Sequence, residues 1–363
     1  MNNALGSDER TVWSRHKGVA GVLLVAVLAF VVLGAQAEPA QPQGASCDRV
    51  AAPGGSDGNA GTAGDPFRTV GRLARSLSAG QTGCLRGGVF REHVTVREGG
   101  RSGAPITLTA HPGSRPKLEG RLIIERRAQF VTVSGLVLDG TSSPACASGT
   151  SCAVYPSPTV YGDHAVLRGN DITNRRGICV ILGRSGDPMT GAVIQGNRIH
   201  HCGRRPRTNR DHGIYAENAR SGRIVGNMIY DNADRGVQLY PSAQNMRIAG
   251  NVIDGNGQGV IFSGEGGSTS NGNVVEGNVI ANARASHNVE SYYPSGTPVG
   301  RGNVVRGNCL FGGIRNRENG GVQAPQRGFV ATGNRVSDPA YVNRGAGDFR
   351  LGDGSPCQGV LRP

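Results

Sequence analysis

The sequence predicts an all-β solenoid, a right-handed parallel β-helix (solenoid) with a short N-terminal capping helix. Three observations predict it. A Gly-Asn-x-aliphatic phrase returns throughout the second half of the chain, each period holds three short alternating segments, and no helical pattern lies between them. The phrase runs from Gly169-Asn170-Asp171-Ile172 to Gly333-Asn334-Arg335-Val336. Its asparagines, Asn170, Asn197, Asn227, Asn251, Asn278, Asn308 and Asn334, stand 27, 30, 24, 27, 30 and 26 residues apart. Ser134-Gly135-Leu136-Val137 reads as an earlier member with Leu in the Asn place. Periods of this size mean stacked supersecondary units.

One period shows the logic. Arg223–Val225, Met228–Tyr230 and Gly236–Tyr240 alternate over three to five residues and are separated by Gly-Asn and Asp-Asn. Alternation broken by residues that accept left-handed backbone reads as strand, turn, strand. A single coil of three such strands cannot bury its apolar face, so stacking on neighbours supplies the core. An Asn at the same bend of each coil hydrogen-bonds its equivalents above and below. That ladder explains the asparagines without chemistry, the bend needing residues that tolerate positive φ.

The ends follow. Residues 1–37 read as a signal peptide: Arg10, Arg15 and Lys17 precede the apolar run Gly18–Leu33, and Ala35-Gln36-Ala37 supplies small residues for cleavage. An uncleaved membrane anchor is the alternative, the run approaching spanning length. Residues 38–46 form a linker, 47–80 an N-terminal cap, 81–340 the β-helix and 341–363 a C-terminal cap. Within the first cap Phe67, Val70, Leu73, Ala74 and Leu77 fall at helical spacing, with Arg68, Arg72 and Arg75 on the other face. Such a helix covers an end that would otherwise be an unpaired edge.

Export makes the eight cysteines a disulfide set. Nearest-neighbour pairing suits a linear stack and predicts Cys47–Cys84, Cys146–Cys152, Cys179–Cys202 and Cys309–Cys357. No C-x-x-C pair points to zinc or to redox chemistry. The formal charge is +13, and removing residues 1–37, with three positive and two negative side chains, leaves +12. The excess is nearly all arginine, which attracts an anionic partner. The arginines are dispersed, and no basic run interleaved with aromatics points to nucleic acid.

The stretch "GGSDGNAGTAGDPFRTVGRLARSLSAGQTGCLRGGVFRE", the Gly-Asn coils and the closing "DFRLGDGSP" together resemble secreted bacterial proteins of the pectin-lyase-like, right-handed parallel β-helix superfamily. The resemblance covers nearly the whole mature chain. It implies polysaccharide lyases, uronate epimerases, glycoside hydrolases or proteins without known activity, since fold does not settle function.

Aligning the third strand of each coil on its leading glycine points Ile178 and Val180, Ile214 and Ala216, Val237 and Leu239, Val260 and Phe262, and Val289 and Ser291 inward. One outward column then runs Cys179, Tyr215, Gln238, Ile261, Glu290, and another Ile181, Glu217, Tyr240, Ser263, Tyr292. A third, just before the strand, runs Arg176, His212, Arg235, Gln258, His287. Parallel strands lie about 4.8 Å apart, so His212 and Arg235 are expected side by side, with Asp211 and Asp234 behind them and Tyr215 and Tyr240 on the same face. Uronate β-elimination or C5 epimerisation wants this set: a cation on the substrate carboxylate, a base and a proton donor. The expected roles are Arg235 as neutraliser, His212 as base oriented by Asp211, and Tyr215 or Tyr240 as donor. Some uronate-acting β-helix enzymes are similar in using Arg, His and Tyr this way. The Asp-Pro-His motif of the alginate epimerases is absent here.

Glu217, Gln238, Glu290 and Arg207 are expected to bind substrate, Arg207 from the inserted "RRPR" loop. Tyr292 and Tyr293 of "SYYPSG" offer a stacking platform for sugars. No bound metal is expected, with calcium on Asp211 and Asp234 as the alternative. Two other functions compete. A glycoside hydrolase would pair Asp211 or Glu217 with Asp234, with Glu265 or Glu290 farther along, and a scaffold would bind glycan without catalysis. The expected partner is an extracellular, anionic polysaccharide, met by a secreted monomer with no membrane contact after signal cleavage.

Overall fold

The structure, a computed structural model, describes residues 46–141 and 155–361. The expected signal peptide and Cys146–Cys152 lie outside the described residues. Each glycine of the recurring phrase, Gly169 to Gly333, sits at a φ between 58 and 63°. The glycine, not the asparagine, takes the left-handed turn. The asparagine is free to be buried, and its Nδ2 donates to the Oδ1 of the next coil's asparagine, without a break, from Asn170 to Asn334 at 2.8–3.0 Å.

Three sheets run along the solenoid, holding eleven, ten and nine strands, parallel except where Ser268–Thr269 folds back on Gln258–Glu265 in the third. The first carries the segments before each Gly-Asn, such as Arg223–Val225 and Arg247–Ala249. The second carries those after it, such as Met228–Tyr230 and Val252–Asp254. The third carries Val180–Leu182, Ile214–Ala216, Arg235–Leu239, Gln258–Glu265 and Val289–Tyr292. Ile224, Ile229, Val237 and their equivalents in neighbouring coils are 0% exposed and form one continuous core. Each such side chain contributes about 1.5–3 kcal/mol by leaving water.

The N-terminal helix, Val70–Ser76, closes the first coil as expected. Thr69 Oγ1 caps it by accepting from the Arg72 amide, while Val70, Leu73 and Ala74 are buried. Gly83 lies directly beneath, where a Cβ would come within 2.9 Å of Leu73 and Leu77. Three disulfides are present among the described residues, Cys47–Cys84, Cys179–Cys202 and Cys309–Cys357. No helix of the described residues is long and apolar enough to cross a membrane.

Two expectations need correction. Val180, not Ile178, pairs with Ile214, so Ile181 stands beside Tyr215 and Cys179 belongs to a buried disulfide. Gly177 closes a turn on the Asn174 carbonyl and does not lead the strand, which slips the alignment by two. The second concerns the C-terminal segment, which lies along the flank instead of capping the last coil. The hairpin Tyr341–Asn343 with Asp348–Leu351 packs on the outer face of the second sheet, against Met228, Tyr230, Val252, Val279 and Cys309. Arg344 Nε donates to the fully buried Asp254 carboxylate at 2.6 Å. Val330 and Val336 of the terminal coil are left 60% and 48% exposed.

Candidate functional site

The chain enters the third sheet through Gly213, Gly236 and Gly259. A Cβ at Gly236 would lie 2.7 Å from Ile253 Cγ2 and 3.0 Å from Asn256 Nδ2, so the backbone there must be bare. A second asparagine ladder fills the bend, with Asn232 Nδ2 donating to Asn256 Oδ1 at 2.8 Å. The shared Asp-x-Gly frame of "DHGI" and "DRGV" is therefore architectural, and the middle residue is the variable one. Those variable residues project outward in a row. Arg235 pairs with Gln258, Ile214 with Val237 and Val260 with Val289, which places His212, Arg235, Gln258 and His287 on successive coils.

Two cavities open over this row. One, of about 390 Å³, is lined by His212, Tyr215, Arg235, Gln238, Tyr240 and Tyr292. The other, of about 470 Å³, is lined by Arg207, Arg235, Gln258, His287, Glu290 and Arg315. Asn209, Arg235, Ile261 and Tyr292 line both, so the two are halves of one groove. The inserted loop after Cys202 forms part of the wall through Asn209. The Cys179–Cys202 bridge anchors its base.

In the first half, the His212 and Tyr215 rings meet edge to face at 5.7 Å, and Tyr215 stacks with Tyr240 at 6.1 Å. Burial, then the Arg235 cation, holds His212 well below its ordinary pKa, an effect the Gln238 side chain partly offsets. The imidazole is neutral near pH 7, and its buried Nδ1 has no partner among the described residues. Burial and nearby carboxylates push the Tyr215 phenol upward. Tyr240 is pushed up to about 12 by burial and by Glu265, to which its hydroxyl donates. Arg235 is 7% exposed, and burial lowers its pKa. Its Nη1 and Nη2 donate to the Asn209 carbonyl and Oδ1 at 2.9 and 2.8 Å, while its Nε has no partner among the described residues.

The carboxylates behind this row face elsewhere. Asp211 accepts from the Arg204 amide and guanidinium and from Thr208 Oγ1, not from His212. Asp234, fully buried, accepts from the Asp211 amide at 2.8 Å and from Arg207 Nε at 3.1 Å. Both hold the inserted loop, so neither orients His212 and Arg207 is a pin for that loop. The Asp211 and Asp234 oxygens already serve arginine, hydroxyl and amide donors. Among the described residues no group of three or more His, Cys, Asp or Glu is arranged for a metal.

Of the expected binding residues, Gln238 lines the first half and Glu290 the second. Glu217 is outside both, accepting from the Ser185 amide at 2.9 Å. Tyr292 is 60% exposed, but Tyr293 is 5% exposed with Arg327 over its ring, so of the expected pair only the Tyr292 ring is open. Sequence reasoning missed the groups around Glu290. Glu290 Oε2 accepts from Ser286 Oγ at 2.7 Å and lies 2.7 Å from His287 Nδ1; Oε1 accepts from the Gln258 amide. The spacing His-x-x-Glu was the available signal.

Comparison with known proteins agrees with the architecture. Residues 157–336 match the family described as "Right handed beta helix region". The uncharacterised protein YwoF of Bacillus subtilis (strain 168) is 27% identical over 164 residues, 42% of this chain and 34% of that protein. F-box only protein 10 of Homo sapiens is 32% identical over 71 residues, 20% of this chain and 7% of that protein. The chain thus spans about a third or less of the length of these relatives. Among solved structures, pectate lyase Pel9A superposes with a TM-score of 0.57 at 14% identity, covering 86% of this chain and 91% of that one. XylC in complex with xylose gives 0.54 at 13%, covering 72% and 65%. At these identities the likeness is one of fold. Coil geometry, with the match over residues 157–336, gives this chain the fold of a right-handed parallel β-helix.

Proposed function

We propose that the protein acts on an extracellular, uronate-containing polysaccharide in the groove over the third sheet, as a lyase or an epimerase. The observation that carries this reading is Arg235. It is a buried cation in the middle of the groove, hydrogen-bonded among the described residues to the neutral Asn209 alone, with its Nε unsatisfied. Burial lowers its pKa despite the fields of Asp234 and Glu290, and a planar carboxylate recovers that burial cost through charge-assisted, bidentate bonds. Tyr215 and Tyr240, both held protonated, are the available donors on one side, and the exposed Tyr292 ring is a surface for a sugar. That a pectate lyase shares the fold is consistent with this reading. The hydrolase alternative loses support because Asp211 and Asp234 are bonded to the inserted loop.

Incubation of the mature protein with pectate, alginate and glycosaminoglycans tests the reading. Unsaturated-uronate absorbance reports elimination, and proton NMR of the polymer reports C5 inversion. Replacing Tyr240 with Phe is expected to lower turnover by about 10²-fold or more, the contribution of a positioned proton donor. Silence in both assays beside retention on a glycan array would leave a binding scaffold instead.

A further inference from the structure

We infer that the proton acceptor of the groove is His287, held by Glu290, and not His212. This assignment rests on the uronate reading and deepens it. The two histidines stand on opposite sides of Arg235 along the same outward row, and each lines one half of the groove. Their surroundings differ in the carboxylate that faces the ring. His212 has no carboxylate partner, since Asp211 is turned to Arg204 and Thr208. A proton arriving there would make a second buried cation beside Arg235. At His287 the new charge would face Glu290, 2.7 Å from Nδ1.

The geometry also fixes which nitrogen works. Glu290 takes donors from Gln258, Ser286 and His287. A carboxylate so placed requires the hydrogen on Nδ1, which leaves Nε2 as a lone pair. Nε2 takes no protein partner among the described residues, and His287 lines the cavity. Ser286 is bonded on the Nδ1 side, so it is not a nucleophile served by this histidine. With the uronate carboxylate on Arg235, the C5–H bond breaks and its proton passes to His287 Nε2. The electron pair becomes the C4=C5 double bond as the C4–O bond breaks. The departing oxygen takes the proton of a groove phenol, and solvent returns that proton and clears His287. Glu290 is a positioning residue in this scheme.

Two measurements test the assignment. Long-range ¹⁵N–¹H NMR at neutral pH is expected to show His287 as the Nδ1–H tautomer, and a mixture of tautomers in Glu290→Gln. An Nε2–H tautomer in the wild type overturns the proposal whatever the substrate. With a uronate polymer, His287→Ala is expected to lose about 10²–10⁴-fold in kcat, to keep polymer affinity within about threefold, and to regain turnover with added imidazole. Glu290→Gln should lower kcat with little change in KM. Retention of kcat within tenfold by His287→Ala overturns the assignment. If the wild type turns over no uronate polymer, the uronate reading falls, while the NMR result still decides whether the His–Glu pair is built as described.

Discussion

Arg235 has one neutral partner residue, Asn209, and an orphaned Nε. Lysine in its place keeps the charge but loses the fork that grips both a carboxylate and the Asn209 loop. Hydrogen bonds to charged groups are worth about 1.5–3 kcal/mol. Arg235→Lys is therefore expected to lower kcat/KM on a uronate polymer by about ten- to a hundredfold, measured by initial rates, without a comparable loss on thermal unfolding. His212 allows a second test, in stability against pH. Its folded pKa is depressed by burial and by Arg235, so the unfolded state binds the proton more readily. Stability from this group is complete above the unfolded value of about 6.5 and falls below it, by up to about 1.4 kcal/mol per pH unit. The wild type should lose more stability between pH 7 and 5 than His212→Gln does, the difference being read from denaturant midpoints. Equal slopes would mean that the imidazole is solvated. Residue types and column order put His212, Arg235, Tyr215 and Tyr240 on one face from sequence alone. The sequence could not say that Asp211 and Asp234 turn to the inserted loop, because those bonds depend on how Arg204 and Arg207 fold back.

Each coil turns three times, and only the Gly-Asn bend was legible. The Gly-Asn bend repeats its residue types without exception from Asn170 onward, so its ladder could be read directly. The second ladder, Asn232 to Asn256, was hidden because the link from second to third strand varies in length. The same variation explains the slip at Cys179: "GICV" imitates "GIYA", yet its glycine closes a turn before the strand begins. The ladder makes a test at this scale. Asn227 Nδ2 donates to Asn251 Oδ1 and to the Ile194 carbonyl, and its Oδ1 accepts from the amide and Nδ2 of Asn197. Asn227→Ala leaves several buried groups unpaired at about 1–3 kcal/mol each. A loss on the order of 3 kcal/mol is expected in chemical denaturation after partial relaxation. Asn334→Ala, at the partly buried last rung, should cost less than half as much. Equal losses would mean that the ladder does not gain from burial.

At the scale of the molecule, the C-terminal segment decides which face is free to work. The outer face of the second sheet reads Val252, Val279 and Cys309 where alternation would place polar side chains, and all three are buried under the Tyr341–Leu351 hairpin and Leu361. That break in alternation was the sequence signal for a flank partner, and reading the segment as an end cap overlooked it. With the helix closing the first coil and the tail covering the second sheet, the outer face of the third is where the groove opens. The tail is held by Arg344 on the buried Asp254, by the Tyr230–Phe349 contact and by Cys309–Cys357. Removing residues 341–363 together with Cys309→Ala would bare these apolar side chains, each worth about 1.5–3 kcal/mol of burial, and take Arg344 from Asp254, which keeps its bond from Asn282 Nδ2. A stability loss on the order of 5 kcal/mol and a tendency to associate are expected, measured by thermal unfolding and light scattering. The grooved face shares no residue with the clasp. Truncated protein that stays folded below its new transition should therefore keep polymer binding within a few-fold, and loss of binding by that folded fraction would show that the tail also shapes the groove.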